Sequence, residues 1–302
     1  MKSQEIVLKE KSVILSLKEV VFGSIVSGLC DNYISPYAIT IKISTIGLGL
    51  LNGIPNAISP WIQLLSRKLI FKFKRKQLIN ASIFIQSLFY FALTIFTILI
   101  LLKWNISSHL IILFFTVYSL FISLAAPSWT SLLGDIVEKR KINYYFSFRN
   151  SLAVLGGLFG IVLGGIILDV FKFQIFHNAL VGFVVIFLIG AILNIFRIFL
   201  INKIYEPIFN PPLETYFSFK SFIQRGLKTN FGKFVIFNSL LLFSTNLSGP
   251  YYNLYIFRDL RFSYSQFLVM LVASSLGFFV GYYIARKIIE LIGNIKVLQI
   301  VG

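Results

Sequence analysis

The chain has 302 residues, of which 57% are hydrophobic and 13% charged, with a mean hydropathy of +0.84 and a net charge of +17. Because soluble domains carry about a quarter charged residues, this composition excludes a soluble globular fold and predicts an all-α polytopic membrane protein. The positive charge indicates basic cytoplasmic loops rather than nucleic-acid binding, and the single cysteine, Cys30, excludes a disulfide framework.

Long apolar runs predict about eight transmembrane helices, and the alternating segments typical of a membrane β-barrel are absent. A short apolar run at Val297–Gly302 is similar to the start of a ninth helix. The predicted spans are Glu19–Ile41, Ile43–Ser66, Leu78–Leu102, Leu110–Leu133, Ser151–Leu168, Asn178–Ile201, Phe234–Ile256 and Phe267–Ile289.

Lysine and arginine are concentrated in alternate connections between these spans. With a cytoplasmic N-terminus, the basic segments 67–76, 134–149, 197–233 and 286–296 all lie on the inner side. The outer connections then hold few cations, namely Lys42, Lys103, Lys172, Arg258 and Arg261. The positive-inside rule therefore predicts a multi-pass protein of the cell membrane (inner or plasma) with its N-terminus in the cytoplasm.

The longest connection, residues 202–232, separates six spans from the rest and contains Pro207, Pro211 and Pro212. It predicts a cytoplasmic tether with a surface helix at about 216–228. A basic turn follows the second span at Lys68–Leu78, and a similar turn follows the eighth at Lys287–Val297. Six spans lie between these equivalent points, which indicates two parallel six-helix halves.

Four stretches together resemble the major facilitator superfamily of secondary transporters. The turn after the second span has Phe71 at the acidic position of the family pattern G-x-x-x-D-R-x-G-R-R and keeps its basic pair as Arg75-Lys76. The segment GDIVEKRKINYYFSFRN is similar to the family's connection between helices four and five. Gly156–Gly165 is similar to its glycine-rich fifth helix, and Lys287–Val297 keeps Glu290 and Gly293 of the first pattern.

The resemblance implies a twelve-helix fold of which this chain carries eight helices. We therefore expect an N-terminal six-helix bundle at 1–201, the linker at 202–232 and a partial C-terminal bundle at 233–302. A truncated sequence, a split gene and a naturally short protein all fit this pattern. The second span has a small-residue face, Gly49, Gly53 and Ala57, which would pair with a homodimer partner or with a separately encoded C-terminal partner.

Two small-residue faces predict a helix-packing seam between the halves. Gly156, Gly160 and Gly164 recur every four residues on the fifth span, and Ala273, Gly277 and Gly281 do so on the eighth. The resemblance implies that these helices meet. It also implies an inner gate, for which the candidates are Arg75, Asp135, Arg140, Arg149 and Glu290. Ordinary solvated loop charges are the alternative interpretation of these residues.

Asp31, followed by Asn32, lies near the middle of the first span, where a charge costs about 2.5–3.5 kcal/mol. It is either a proton-coupling or substrate-binding acid, or a structural acid satisfied by its neighbours. In the seventh span, Asn246, Tyr251 and Tyr252 could bind a polar substrate or belong to an interfacial aromatic belt. These candidates carry few fixed charges, which disfavours a strongly anionic substrate.

The sequence contains no pattern for nucleotide, metal or nucleophile chemistry, and His109 and His177 are isolated. We therefore expect no enzyme activity, cofactor or metal. The most consistent function is transport of a small solute by alternating access, with a proton or ion gradient as the driving force. The alternative is a truncated or split-gene membrane protein that acts as an assembly subunit without transporting.

Overall fold

A computed structural model describes residues 2–104, 106–209 and 229–292, and in these ranges it contains helices and turns but no strand. The predicted surface helix at 216–228 and the apolar run Val297–Gly302 lie outside the described residues. The α-helices are α1 (Lys2–Val26), α2 (Asn32–Thr40), α3 (Thr45–Lys72), α4 (Arg75–Leu101), α5 (Ser108–Ile136), α6 (Ile142–Asp169), α7 (Ala179–Asn202), α8 (Asn230–Leu254) and α9 (Tyr264–Ile292).

A helix occupies each of the eight predicted spans, which confirms the all-α polytopic fold class. In the described part of the chain, five helical stretches are long and apolar enough to cross a membrane: Glu5–Thr40, Arg75–Leu101, His109–Ile136, Tyr144–Ile175 and Ala179–Asn202. Helix α3 is less apolar because Asn52, Asn56 and Gln63 interrupt it, and α9 contributes a shorter apolar stretch, Tyr264–Gly277.

The first membrane helix changes its winding next to Asp31. Ser27–Asp31 form a π-helical turn between α1 and α2, and Pro36 lies inside α2. Proline cannot donate a backbone hydrogen bond to the carbonyl four residues earlier, and π turns are frequent at functional sites. Pro36 and the predicted intramembrane acid Asp31 therefore fall in one irregular stretch of the helix.

The predicted outer connections share a backbone feature. In the described chain, the non-glycine residues with positive φ are Lys42 at 61°, Lys103 at 65°, His177 at 52° and Arg261 at 55°. One left-handed residue stops a helix, at a cost of about 1–2 kcal/mol for a residue with a Cβ. His177 thus has a local backbone role that is independent of metal binding.

The described residues form two compact units, one with Met1–Pro207 and Asn253–Ser275 and the other with Ile208–Tyr252 and Leu276–Gly302. In the first unit, α4 packs along α7, α5 along α3, and α1 along α6. Its core is aromatic, and the rings of Tyr37, Phe183 and Phe187 lie 5.2–6.0 Å apart. Such edge and offset contacts stabilise the core beyond simple burial.

The glycine face of α6 packs against α1, so the predicted seam with the eighth span is wrong for this face. A Cβ at Gly156 would overlap the hydroxyl of Ser24, and one at Gly164 would overlap the ring of Tyr33. The first membrane span thus occupies the space that was predicted for Ala273, Gly277 and Gly281. The reason is that α1 offers small residues at the same spacing, Ser24 and Gly28, so the two backbones approach closely.

Helix α6 does contact the start of α9, beside the glycine row. A Cβ at Gly165 would overlap Leu268 near the start of α9, and Tyr33 forms an edge contact with Phe267 at 6.0 Å. A Cβ at Gly277 would meet nothing within 4 Å in the described part of the chain. The fifth and eighth spans therefore touch through Gly165 and Leu268 rather than through matched glycine faces.

Gly160→Ala should destabilise the protein by about 1–3 kcal/mol, because its Cβ would lie 2.8 Å from the backbone nitrogen of Leu29 in the π-helical turn after α1. Gly134→Ala and Gly277→Ala are matched controls, since a Cβ at either position would meet nothing within 4 Å among the described residues. Both controls should be neutral or stabilising, because alanine favours a helix interior by up to about 1 kcal/mol. Thermal unfolding of the purified chain in detergent measures the three variants. A loss at Gly277→Ala as large as that at Gly160→Ala would restore the original seam.

Candidate functional site

Asp31 accepts hydrogen bonds from tyrosines on two other helices. The hydroxyl of Tyr90 on α4 donates to Asp31 Oδ1 over 2.6 Å, and that of Tyr118 on α5 donates to the same oxygen over 2.9 Å. Both tyrosines are buried. An ionised carboxylate only accepts hydrogen bonds, whereas a protonated one also donates. Proton uptake by Asp31 would therefore change the hydrogen bonding of both hydroxyls.

Gln86 joins these tyrosines to the sixth membrane span. It lies one turn before Tyr90 on α4, and its Nε2 donates to Tyr118 over 3.0 Å and to Tyr90 over 3.2 Å. Its Oε1 accepts from Arg197 Nη1 on α7 over 3.2 Å. Gln86 is buried, so both ends of its amide are committed within the protein.

Arg197 forms an ion pair with Glu19 of α1. Its Nε and Nη2 donate to Glu19 Oε1 over 3.0 and 2.7 Å, and Nη1 also donates to Asn194 Oδ1 over 2.8 Å. Glu19 is only 1% exposed, so these bonds must offset the cost of removing both charges from water. A Cβ at Gly23 would lie 2.8 Å from Arg197 Nη2, and the glycine thereby makes room for the guanidinium.

A second arginine approaches the other oxygen of Glu19. Arg149 Nη2 on α6 lies 3.6 Å from Glu19 Oε2, and its guanidinium carbon lies 5.7 Å from the centre of the Trp129 ring. Two buried nitrogens beside this pair, Arg149 Nε and Asn194 Nδ2, have no hydrogen-bond acceptor among the described residues. Buried donors are almost always satisfied, so an acceptor is expected to complete this region in some state of the protein.

These side chains form one connected set, which we call the buried polar network. It joins the middle of the first membrane span to the start of α6. Its members come from six helical elements, counting the π-helical turn that holds Asp31, and include two acids and two arginines. They are Glu19, Asp31, Gln86, Tyr90, Tyr118, Arg149, Asn194 and Arg197.

A separate cluster surrounds Arg75 at the start of α4. The side chain is 1% exposed, and its Nη1 lies 2.5 Å from Asp135 Oδ2 and 2.9 Å from Ser131 Oγ, both on α5. Its Nη2 donates to the carbonyl of Pro207 over 2.9 Å, and its Nε lies 3.8 Å from Glu206. Arg75 thus fixes the chain just after α7 to the ends of α4 and α5.

Arg75→Lys should destabilise the protein by about 1.5–3 kcal/mol, because one ammonium cannot reproduce the forked contacts to Asp135 and Pro207. Trypsin cleavage after Lys203 should also accelerate, since the segment that follows loses its anchor. Lys72→Gln, which alters an exposed lysine near the same turn, should change neither property. Thermal unfolding and mass spectrometry of the digest test both effects; unchanged cleavage in Arg75→Lys would show that the segment is held by other contacts.

The predicted site residues do not all come together. Asp31 is bound as described, whereas Asn32 is exposed and donates to the carbonyl of Ser27 over 3.3 Å. Asn246, Tyr251 and Tyr252 are exposed and belong to the second unit, and Asn246 donates to the carbonyl of Leu242 on its own helix. The binding roles of these three residues stay predictions.

The gate candidates are also dispersed. Asp135 pairs with Arg75, and Arg149 pairs with Glu19, both inside the first unit. Arg140 is exposed on the connection between α5 and α6. Glu290 lies on α9, and its side chain is outside the described part of the structure. A gate formed by these residues stays a prediction.

Most of the buried polar network was not among the predicted site residues, namely Glu19, Gln86, Tyr90, Tyr118, Asn194 and Arg197. Arg197 was predicted to lie in a cytoplasmic connection, but it lies within α7 and its side chain is 12% exposed. A signal was present, because Gln86 and Tyr90 are four residues apart on one helix face, and Asn194 and Arg197 are three apart on another.

No group of three or more metal-ligating side chains occurs in the described residues. A family model described as Major Facilitator Superfamily matches residues 20–302, which is nearly the whole chain. Comparisons with curated proteins and with solved structures give no match. The chain's relationship to other proteins therefore rests on the family match.

Proposed function

The chain belongs to the major facilitator superfamily and is a multi-pass membrane transport protein, and from this premise we propose that it moves a small solute by alternating access, coupled to protons through Asp31. The observation that carries the proposal is the Asp31 carboxylate, held inside a membrane span by the hydroxyls of Tyr90 and Tyr118. Intramembrane acids of this kind mark proton relays and substrate pathways.

The two readings of Asp31 differ in what proton binding does. A purely structural acid keeps one protonation state and one set of partners. Asp31 accepts from two hydroxyls, as a structural acid would, but these hydroxyls are also linked through Gln86 to the Glu19–Arg197 pair. Proton binding at Asp31 can therefore reach the ion pair on α7, which supports the coupling role.

Reconstitution tests the proposal. The purified chain is placed in liposomes that contain a pH-sensitive dye, a pH gradient is imposed, and solutes are added as a panel of sugars, amino acids, amines and carboxylates. We expect at least one solute to start proton movement that empty liposomes do not show. If no member of the panel moves protons or accumulates, the non-transporting assembly subunit becomes the better explanation.

The proposed orientation places the N-terminus in the cytoplasm of a cell membrane, with the connection between α5 and α6 on the same side. Cys30 is the only cysteine and is buried, so a Cys30→Ala background permits labelling of single introduced cysteines. Lys139→Cys should be closed to an impermeant maleimide in intact cells, and Lys103→Cys should be open to it. The reverse pattern would invert the orientation.

The gate and the domain plan complete the proposal. Within the first unit, the pair Arg75–Asp135 joins the start of α4 to the end of α5, and the pair Glu19–Arg149 joins α1 to α6. Alternating access would require such pairs to exchange partners as the halves move. Residues 1–201 would form the N-terminal bundle, 202–232 the cytoplasmic linker and 233–302 the partial second bundle. The chain would associate with a second copy of itself or with a separately encoded C-terminal partner.

A further inference from the structure

We infer that the transported solute is a small monovalent anion that binds beside Arg149 and Arg197 and is carried together with the proton of Asp31. This inference rests on the proposed proton coupling and deepens it by naming the substrate class. The net charge of the buried polar network changes when Asp31 binds a proton and when an anion binds, and these changes support the inference.

The network is electrically balanced when Asp31 is ionised. Its two cations are Arg149 and Arg197, and its two anions are Glu19 and Asp31. Other ionisable groups near Asp31 are neutral in their ordinary state: the phenols of Tyr90 and Tyr118 and the thiol of Cys30 in the same turn. When Asp31 takes up a proton, one positive charge is left without a counterpart.

An uncompensated charge in a buried site is strongly unfavourable. A monovalent anion restores the balance, and the proton and the anion together add no net charge to the network. Either one alone leaves the network charged, so the two should bind together in equal number. This balance allows one negative charge only, which agrees with the expectation that a strongly anionic substrate is disfavoured.

The anion has donors ready at the cationic end. Arg149 Nε and Asn194 Nδ2 are buried N–H groups for which the described part of the chain offers no acceptor, and both belong to residues in contact with the Glu19–Arg197 pair. Arginine and amide N–H groups are the donors that carboxylates and other oxyanions accept from. The side chain of Arg149 is 19% exposed, so this end of the network is not sealed within the first unit.

Trp129 provides a reporter for this site because its ring lies 5.7 Å from the Arg149 guanidinium. The full chain is prepared with Trp61→Phe and Trp104→Phe, so that Trp129 is the remaining tryptophan. Lactate and pyruvate serve as monovalent anionic probes, and lactamide is the neutral counterpart of lactate. Trp129 fluorescence is titrated at acidic and alkaline pH, and proton uptake is followed with an indicator dye in weak buffer.

We expect at least one anion to bind about ten-fold more tightly at acidic pH, with one proton taken up for each anion bound, as reciprocal linkage requires. Lactamide should produce neither signal. Arg149→Gln should abolish both, Arg149→Lys should retain part of the binding, and Lys139→Gln on the exposed connection before α6 should behave as the unmodified chain does.

A second measurement needs no solute. Arg149→Gln leaves one cation for two acids, so a protonated Asp31 no longer creates excess positive charge. In the absence of anions, this variant should take up its Asp31 proton at about ten-fold lower proton concentration than the unmodified chain. Asp31→Asn, alone and combined with Arg149→Gln, identifies the proton that belongs to Asp31.

The outcomes separate the inference from the proposed function. Two results together overturn the anion site and leave proton coupling intact. The first is that lactamide drives proton uptake, or that no anion does. The second is that Arg149→Gln has the same proton titration as the unmodified chain. Anion binding that is independent of pH and of Asp31 overturns proton coupling, and with it the inferred cotransport.

Discussion

Asp31→Asn should abolish proton-driven solute movement while leaving the helix bundle folded. Asparagine has the same shape, and its Oδ1 can still accept from Tyr90 and Tyr118, so the helix contacts persist. It cannot bind a proton, and the solute should therefore no longer follow the pH gradient. We expect solute accumulation in proteoliposomes to fall by about 5- to 150-fold, which is the range that corresponds to typical coupling free energies of about 1–3 kcal/mol.

The matched control is Asp259→Asn, which makes the same change at an exposed acid near Arg258. It should leave coupling intact. Tyr90→Phe should give an intermediate phenotype, because Tyr118 still donates to Asp31. If Asp31→Asn accumulates solute as well as the unmodified chain does, Asp31 is structural and the coupling acid lies elsewhere.

Hydropathy predicted where the helices lie because membrane insertion and helix formation select the same residues. The sixth span was placed at Asn178–Ile201, and the helix runs over Ala179–Asn202. The first span was placed too late, because α1 begins at Lys2 and not at Glu19. Lysines before Glu19 lower the hydropathy, but they do not interrupt a helix, so the start of insertion and the start of the helix differ.

The acid at Asp31 was predictable because a charge in an apolar run is expensive wherever it lies. Its partners were not, since Glu19 and Arg197 are 178 residues apart and meet only through the packing of α1 on α7. Each stands near the end of a predicted span, where a charge is unremarkable. A single sequence therefore reveals the isolated charge and conceals the paired ones.

The glycine face of α6 shows the same division. Spacing by four correctly indicated close helix packing, because a Cβ at Gly160 would strike the backbone of α1. The choice of partner was wrong because four helices carry small residues at that spacing: α1, α3, α6 and α9. The spacing of small residues identifies a helix face that can pack closely. Which helix packs against that face depends on the chain connectivity and on the polar contacts that align the two helices. Here Glu19 and Arg149 supply such a contact between α1 and α6.

Arg197→Gln should be the most destabilising of the substitutions considered and should lower the free energy of unfolding by about 3–5 kcal/mol. It leaves Glu19 buried without the two hydrogen bonds that Arg197 donates to Oε1. Arg149 lies 3.6 Å from Glu19 and cannot replace the two lost hydrogen bonds. Thermal unfolding of the purified chain measures the loss. Gly23→Ala, which crowds the guanidinium without removing it, should give a smaller loss of the same kind.

The double variant Glu19→Gln/Arg197→Gln distinguishes a buried charge from a lost contact. Removing both charges leaves no unpaired ion, so the double variant should be more stable than Arg197→Gln alone. If the losses instead add, the pair contributes mainly through packing, and charge balance does not govern the network. Arg149→Gln should destabilise much less than Arg197→Gln, because its contact to Glu19 is longer and its side chain is less buried. That difference would identify Arg149, with its weaker contact to Glu19, as the arginine that can pair with a bound anion.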